Sequence, residues 1–296
     1  MKILSSISLF AGAGGSACGF RQAHYQHRLA IEKSGPAASV FRENFPNVTL
    51  LEKDIRDVDE IEALRLADIK PGELDVLEGS IPCQGFSLLG KRMANDSRNG
   101  LYLEFIRMLR AFLPKAFVIE NVPAMTYART RGIFLDCMDR LRSSDYAVRA
   151  EVLDASHFGV PQSRCRLFIL GIREDLRTLP NFPAPQTMGC SMRSVFNADG
   201  RLLVTDRLRN GYQKQIVVDF GFPCPTLTST PMNWMVEIDG VARRLTIPEI
   251  KIIGGFAESF RLGNNWLLAH RLIGNSVPPP LARAIGEQIK KILLSD

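Results

Sequence analysis

The sequence predicts an α/β protein, with a Rossmann-like, mostly parallel, doubly wound sheet and a second, smaller, irregular β-rich domain. Short apolar segments alternate with helical segments through residues 3–172, and glycines follow the first apolar segment. From about residue 173 to residue 242 the helical periodicity is lost and prolines become frequent, and the chain ends in a helical segment with Leu281, Ile285 and Ile289 on one face. With 296 residues, of which 46% are hydrophobic, the chain is long enough to bury a large core and a smaller one.

The first unit is a strand, a glycine turn and a helix. Residues 3–10 predict a strand that runs into Gly12, Gly14 and Gly15 before a helical segment begins. Glycines let the backbone approach a ligand closely, and a helix N-terminus offers free N–H groups. The spacing differs from the G-x-G-x-x-G fingerprint, which disfavours a nicotinamide dinucleotide.

The next two strands end in acidic residues. The strand at residues 29–31 leads to Glu32, about twenty residues after the glycines, where such folds place an acid for ribose hydroxyls. A solvated surface glutamate is the alternative. A third strand, at residues 48–51, ends near Asp54 and Ile55, an acid and an apolar residue that could enclose a purine ring.

A fourth strand, at residues 74–77, leads to Cys83, which Pro82 and Gly85 flank. Open α/β sheets bind ligands outside the carboxyl ends of their strands, so a thiol at this point faces a cleft. The alternative is a buried cysteine that acts as a small hydrophobe. Residues 85–100 form a polar, glycine-containing loop of the kind that closes over active sites.

The following segments bring more polar residues to the sheet. A helix with Leu101, Phe105, Ile106, Leu109 and Leu113 on one face precedes a strand at 116–119, which delivers Glu120 to the same edge as the cysteine. A strand at 146–153 follows. If Arg164 and Arg166 lie in one strand, their side chains project to the same side; an ordinary surface strand is the alternative.

Overall composition limits the class of protein. The 37 basic and 31 acidic residues give a net charge of +6, which is a weak indication of a polyanionic partner. The six cysteines form no C-x-x-C pair, so we expect neither a zinc site nor disulfides, and a cytoplasmic location. Residues 2–13 imitate a secretory signal, but we expect the chain to keep its glycine turn. No apolar run reaches the length of a membrane span.

Taken together and in order, six short motifs resemble those of the cytosine-C5 DNA methyltransferases, over nearly the whole chain. They are Phe10-Ala11-Gly12-Ala13-Gly14-Gly15, Pro82-Cys83-Gln84, Glu120-Asn121-Val122, Gln162-Ser163-Arg164-Cys165-Arg166, Arg244-Leu245-Thr246 with Glu249 and Gly255-Phe256, and Gly274-Asn275-Ser276-Val277.

The resemblance implies a class I methyltransferase fold with S-adenosyl-L-methionine as the methyl donor. It assigns Glu32 to the ribose, and Asp54 with Ile55 to the adenine. Lys33 departs from the family, which often has an aromatic residue at that position. The full set of implied cofactor-binding residues is Phe10, Gly12, Gly15, Glu32, Lys33, Asp54, Ile55, Pro82, Leu101, Asn275 and Val277.

The resemblance also implies a covalent mechanism. Cys83 adds to C6 of cytosine and makes C5 nucleophilic. Glu120 binds N3 and the amino group, Arg166 binds O2, and Arg164 supports the site. The base must be flipped out of the duplex, at a cost of about a few kcal/mol. The expected substrate contacts are Gln84, Ser87, Lys91, Arg92, Arg98, Asn121 and Gln162.

We therefore expect a monomeric, cytoplasmic DNA methyltransferase of bacterial or phage type, with double-stranded DNA as partner and no metal. The expected catalytic domain is residues 1–172 completed by 266–296, and residues 173–265 form a target-recognition domain. One alternative is a tRNA cytosine-5 methyltransferase of the same fold, although the Cys-Phe-Thr motif of those relatives is missing from the sequence. A non-catalytic DNA-binding homologue is another.

Overall fold

A seven-stranded sheet organises the larger part of the protein, in a computed structural model that describes residues 3–82, 100–185, 189–207, 213–230 and 233–295. Its strands are β1 (Leu4–Leu9), β2 (Tyr25–Ile31), β3 (Thr49–Leu51), β4 (Val76–Ser80), β5 (Ala116–Asn121), β6 (Tyr146–Asp154) and β7 (Cys165–Arg173). Their order is β3-β2-β1-β4-β5-β7-β6. Neighbours from β3 to β5 are parallel, and β7 is antiparallel to β5. The predicted mostly parallel sheet is confirmed.

Helices connect these strands as the alternating pattern predicts. They are α1 (Gly15–Gln22), α2 (Gly35–Asn44), α3 (Glu60–Ala67), α4 (Leu101–Phe112) and α5 (Arg131–Arg142). The predicted core face of α4 is correct except at Leu113. The helix ends at Phe112, and Leu113 takes a left-handed φ of 47° and is exposed. Phe112 occupies the core position instead.

The main core lies on one face of this sheet. Side chains alternate between faces along a strand, so Ile7, Leu77, Phe117 and Ile169 all point into this core. The Phe117 ring packs edge-on against Tyr146, with 5.2 Å between centroids. The opposite face also carries buried polar side chains, among them Ser8 and Glu78.

The smaller sheet is antiparallel. Its strands are β8 (Arg201–Arg207), β9 (Gln213–Asp219), β10 (Asn233–Ile238) and β11 (Val241–Arg244), in the order β11-β10-β8-β9. The helices α6 (Arg193–Phe196), α7 (Ile247–Ile253), α8 (Trp266–Asn275) and α9 (Pro279–Leu294) complete the chain. A capping box of Thr246 and Glu249 begins α7. A small β-rich part was predicted and is confirmed.

The chain divides into two compact units. The larger comprises Met1–Leu153, Cys165–Pro183 and Ala282–Asp296, and the smaller comprises Asp154–Arg164 and Ala184–Leu281. The expected domains differ from these units at residues 154–164, 173–183 and 266–281. As functional domains, the expected boundaries stay a prediction.

Among the described residues, every helix is too short or too polar to cross a bilayer. The same residues contain no group of three or more His, Cys, Asp or Glu side chains that could hold a metal ion.

Candidate active site

Five of the predicted functional residues in the larger unit lie at or just after the carboxyl ends of parallel strands. Across the sheet from β3 to β5, these residues are Asp54, Glu32, Phe10, Pro82 and Glu120. Ligands bind at this edge in open α/β sheets. Sheet order thus arranges the expected adenine, ribose, methionine and catalytic positions in a row.

The glycine turn after β1 has an unusual backbone. Phe10, Gly12 and Gly14 have φ values of 55°, 57° and 94°, in the left-handed region that favours glycine. A Cβ atom at Gly14 would lie 2.5 Å from the Phe45 ring, so packing requires glycine there. At Gly12 a Cβ atom would meet no described atom within 4 Å. Gly12 therefore leaves an open space in which a ligand can approach the backbone.

Glu32 is fixed to this turn. Its carboxylate accepts hydrogen bonds from the Gly12 N–H at 2.8 Å and the Ser34 N–H at 2.6 Å. Backbone donors thus hold the acid that is expected to bind a ribose.

Two cations hold Asp54. Its Oδ1 and Oδ2 atoms accept from Arg56 Nε and Nη2 at 3.0 and 2.6 Å, and Lys33 Nζ lies 2.9 Å from Oδ2. These partners, Arg56 first, hold the pKa of Asp54 well below its usual range. Lys33, the departure from the family pattern, therefore lies beside the acid expected to bind adenine. Ile55 packs into the core.

The remaining expected cofactor residues fall in both units. Pro82 is half-buried at the end of a described segment, Leu101 begins α4 and is buried, and Gly15 begins α1. In the smaller unit, Asn275 is the exposed last residue of α8 and Val277 is buried. A role for these residues in cofactor binding stays a prediction.

Glu120 and Arg166 lie together. Arg166 Nε is 3.1 Å from Glu120 Oε1, and each side chain is 13% exposed. The antiparallel pairing of β5 and β7 explains the contact, because the end of β5 lies beside the start of β7. An acid and a guanidinium are therefore available at one point of the sheet edge.

Arg164 has different contacts from Arg166. β7 begins at Cys165, so the expectation that both arginines project from one strand is wrong. The Arg164 guanidinium donates to the carbonyls of Leu227 and Gly274 at 2.9 and 2.8 Å, within the smaller unit. These bonds fix the chain next to Asn275.

The two amide side chains expected to contact substrate bond to backbone. Gln162 Nε2 donates to the Ile253 carbonyl at 3.1 Å, and its Oε1 accepts from the Leu227 N–H at 3.0 Å. Asn121 Oδ1 accepts from the Val122 N–H at 2.8 Å, and its Nδ2 lies 3.5 Å from the Ile81 carbonyl. Their substrate contacts stay predictions.

Several expected residues lie outside the described part of the chain. Residues 83–99 are not described, and they include Cys83, Gln84, Ser87, Lys91, Arg92 and Arg98.

Sequence reasoning missed Glu78. The predicted strand stops at residue 77, whereas β4 runs from Val76 to Ser80 and contains Glu78. Glu78 is 3% exposed, and burial raises its pKa to about 7. The signal was an acidic residue directly after an apolar strand segment, which is rare in a buried position unless the acid is hydrogen-bonded.

The family described as C-5 cytosine-specific DNA methylase matches residues 4–213 and 207–291. The chain belongs to this family. The methylase is 30% identical over 359 residues to the type II methyltransferase M.XorII of Xanthomonas oryzae, a match covering 97% of this chain and 84% of that protein. It is 29% identical to M1.HphI of Haemophilus parahaemolyticus, over 98% of this chain and 87% of the relative.

The methylase shares its fold with a protein of known structure. A prophage-encoded protein (E. coli), assigned to the DNA modification methyltransferases, superimposes with a TM-score of 0.79 at 22% identity, over 99% of this chain and 100% of that one. The expected methyltransferase family and fold are confirmed. Family membership leaves the tRNA alternative the weaker one.

Proposed function

We propose that this methylase transfers a methyl group from S-adenosyl-L-methionine to C5 of a cytosine that is flipped out of double-stranded DNA. The observation that carries the proposal is the row of residues at the sheet edge, which ends in the Glu120 and Arg166 pair. A row of this kind suits a cofactor and a base that must lie side by side.

The residues present fit S-adenosyl-L-methionine. The open side of Gly12 leaves room for the methionine part, and the fixed Glu32 carboxylate can accept the two ribose hydroxyls. Asp54 stays ionised beside Arg56 and can accept the adenine amino group. When bound, the cofactor supplies an electrophilic methyl group.

Glu120 and Arg166 suit one edge of cytosine. A carboxyl group can bond to N3 and the amino group, and a guanidinium can donate to O2. Each side chain is mostly withdrawn from water and already has the other as a partner. Preorganised groups of this kind need little rearrangement as charge develops on the ring.

Cys83 completes the proposed reaction. Its thiolate forms a bond to C6 while N3 gains a proton from Glu120. The electron pair that reaches C5 then forms the bond to the methyl group as the methyl–sulfur bond breaks, and the pair of that bond stays on the sulfur of the departing S-adenosyl-L-homocysteine. Loss of the C5 proton to water expels the thiolate and restores the C5–C6 double bond, and N3 returns its proton to Glu120. The thiolate, rather than the thiol, is the nucleophile that starts the reaction.

Bisulfite sequencing of DNA from cells that express the protein tests this function and reads the target sequence. We expect 5-methylcytosine in a fixed sequence context with the wild type and none with Cys83→Ser. We expect Cys83→Ser to retain cofactor binding. Full activity in Cys83→Ser, or incorporation of labelled methyl groups into tRNA but not duplex DNA, would contradict the proposal.

A further inference from the structure

Glu78 is a buried acid with no part in the proposed reaction. The Ser8 hydroxyl donates to its Oε1 atom, and the Ser16 side chain forms a second hydrogen bond with the carboxyl group. An ionisable group is costly to bury unless such bonds compensate it. The hydrogen bonds from the two serines therefore compensate for the burial of the Glu78 carboxyl group. They also identify the two segments of the chain that this carboxyl group connects.

Ser8 and Ser16 lie on opposite sides of the glycine turn. Ser8 is near the end of β1, and it pairs in register with Glu78 on the neighbouring strand. Ser16 is in the first turn of α1. A single carboxyl group therefore joins the strand before the turn to the helix after it.

The turn needs such a connection. Phe10 has a positive φ of 55°, a conformation that is unfavourable for a residue with a side chain. Strained backbone of this kind persists only where surrounding contacts determine it. Glu32 holds the turn from the other neighbouring strand, but it is also the acid expected to bind the ribose. Glu78 is buried between β1 and α1 and has no expected contact with the ligand, so it is available to position the turn.

We propose that Glu78 is a positioning residue for S-adenosyl-L-methionine, because it fixes the glycine turn in the conformation that binds the cofactor. The identity of the ligand rests on the proposed function. The groups that act on Glu78 among the described residues are Ser8, Ser16 and the charged side chain of Glu120, which lies on the same face of the sheet.

Isothermal titration calorimetry with S-adenosyl-L-methionine tests the proposal. Glu78→Ala removes both bonds, and we expect it to raise the Kd about tenfold. Glu78→Gln keeps an oxygen that can accept from a hydroxyl, so we expect a change of less than about threefold. Ser16→Ala removes one of the two hydrogen bonds, and we expect its Kd to lie between those of Glu78→Gln and Glu78→Ala.

Asp75→Asn is the matched control. Asp75 is also a buried carboxyl beside β4, but it lies at the other end of the strand, where it accepts from the Ser5 N–H and from Lys115 Nζ, each at 2.7 Å. We expect this variant to lower stability without changing the Kd. A wild-type Kd in both Glu78→Ala and Ser16→Ala would overturn the proposal.

Hydrogen exchange in the ligand-free protein separates this proposal from the proposed function. We expect amides of residues 10–17 to exchange faster in Glu78→Ala and Ser16→Ala than in the wild type or Asp75→Asn, with β8 and β9 unchanged. Unchanged exchange in residues 10–17 would contradict the positioning role. Failure of the wild type to bind the cofactor would instead contradict the proposed function, and the exchange rates would still decide whether Glu78 fixes the turn.

Discussion

Glu120 and Arg166 are distant in sequence, yet their side chains meet because β7 reverses direction beside β5. Partial burial strengthens the attraction between the two charges, since little water screens them. Because the two side chains form an ion pair, each charge has a partner before a substrate arrives. A cytosine ring that enters this position would exchange one set of charge-assisted hydrogen bonds for another.

Glu120→Gln tests the acid without changing its shape. We expect methyl transfer to fall by about a hundredfold or more, because an amide cannot give a proton to N3, while cofactor affinity stays unchanged. Incorporation of labelled methyl groups and calorimetry measure the two effects. The control is Glu151→Gln, which removes a β6 carboxylate that pairs with Arg149 at 3.2 Å. More than a tenth of wild-type activity in Glu120→Gln would remove Glu120 from the mechanism.

Local sequence is sufficient to predict some strands and helices of this fold and insufficient to predict others. The β1, turn and α1 unit is predictable, since an apolar run followed by glycines is a local pattern. The placement of β4 is not, because Glu78, Gly79 and Ser80 do not look like strand residues. The burial of Glu78 is compensated by hydrogen bonds from Ser8 and Ser16, which belong to other elements.

Substitutions at Gly12 and Gly14 distinguish an effect on ligand binding from an effect on folding. We expect Gly14→Ala to lower the melting temperature strongly, because its Cβ atom would lie 2.5 Å from Phe45 and φ is 94°. Gly12→Ala has free space and suffers only the backbone strain, so its melting temperature should fall less. Its cofactor affinity should fall more than tenfold, since the methyl group occupies the open side. Thermal unfolding and calorimetry measure both, and unimpaired binding by Gly12→Ala would show that the ligand approaches elsewhere.

For the whole molecule, the order of strands determines which loops become neighbours. The row from Asp54 to Glu120 follows from that order and was predictable from the alternation of strands and helices. The partners of Arg164 and Gln162 were not predictable. Both bond to backbone at Leu227, far along the chain, and no local pattern encodes that contact.

The stability of the folded protein should depend on pH through Glu78. Burial raises its pKa from 4.5 to about 7, so the folded state keeps a proton that the unfolded state releases. The stability that comes from this proton is therefore fully present below about pH 4.5 and is lost as pH rises through 7, by about 3 kcal/mol in total. Glu78→Gln has no such proton. We expect the melting temperature of Glu78→Gln minus that of the wild type to be larger at pH 8.5 than at pH 5.5. A difference that stays constant with pH would contradict the raised pKa of Glu78.

Covalent trapping tests whether Cys83 attacks a cytosine held by Glu120 and Arg166. Duplex DNA that contains 5-fluorocytosine in the methylated sequence is incubated with the protein and S-adenosyl-L-methionine, and the denatured complex is digested for mass spectrometry. Because fluorine cannot leave C5 as a proton does, we expect a stable adduct on the peptide that contains Cys83. An adduct on another residue, or none with DNA whose unmodified form is methylated, would show that Cys83 is not the nucleophile.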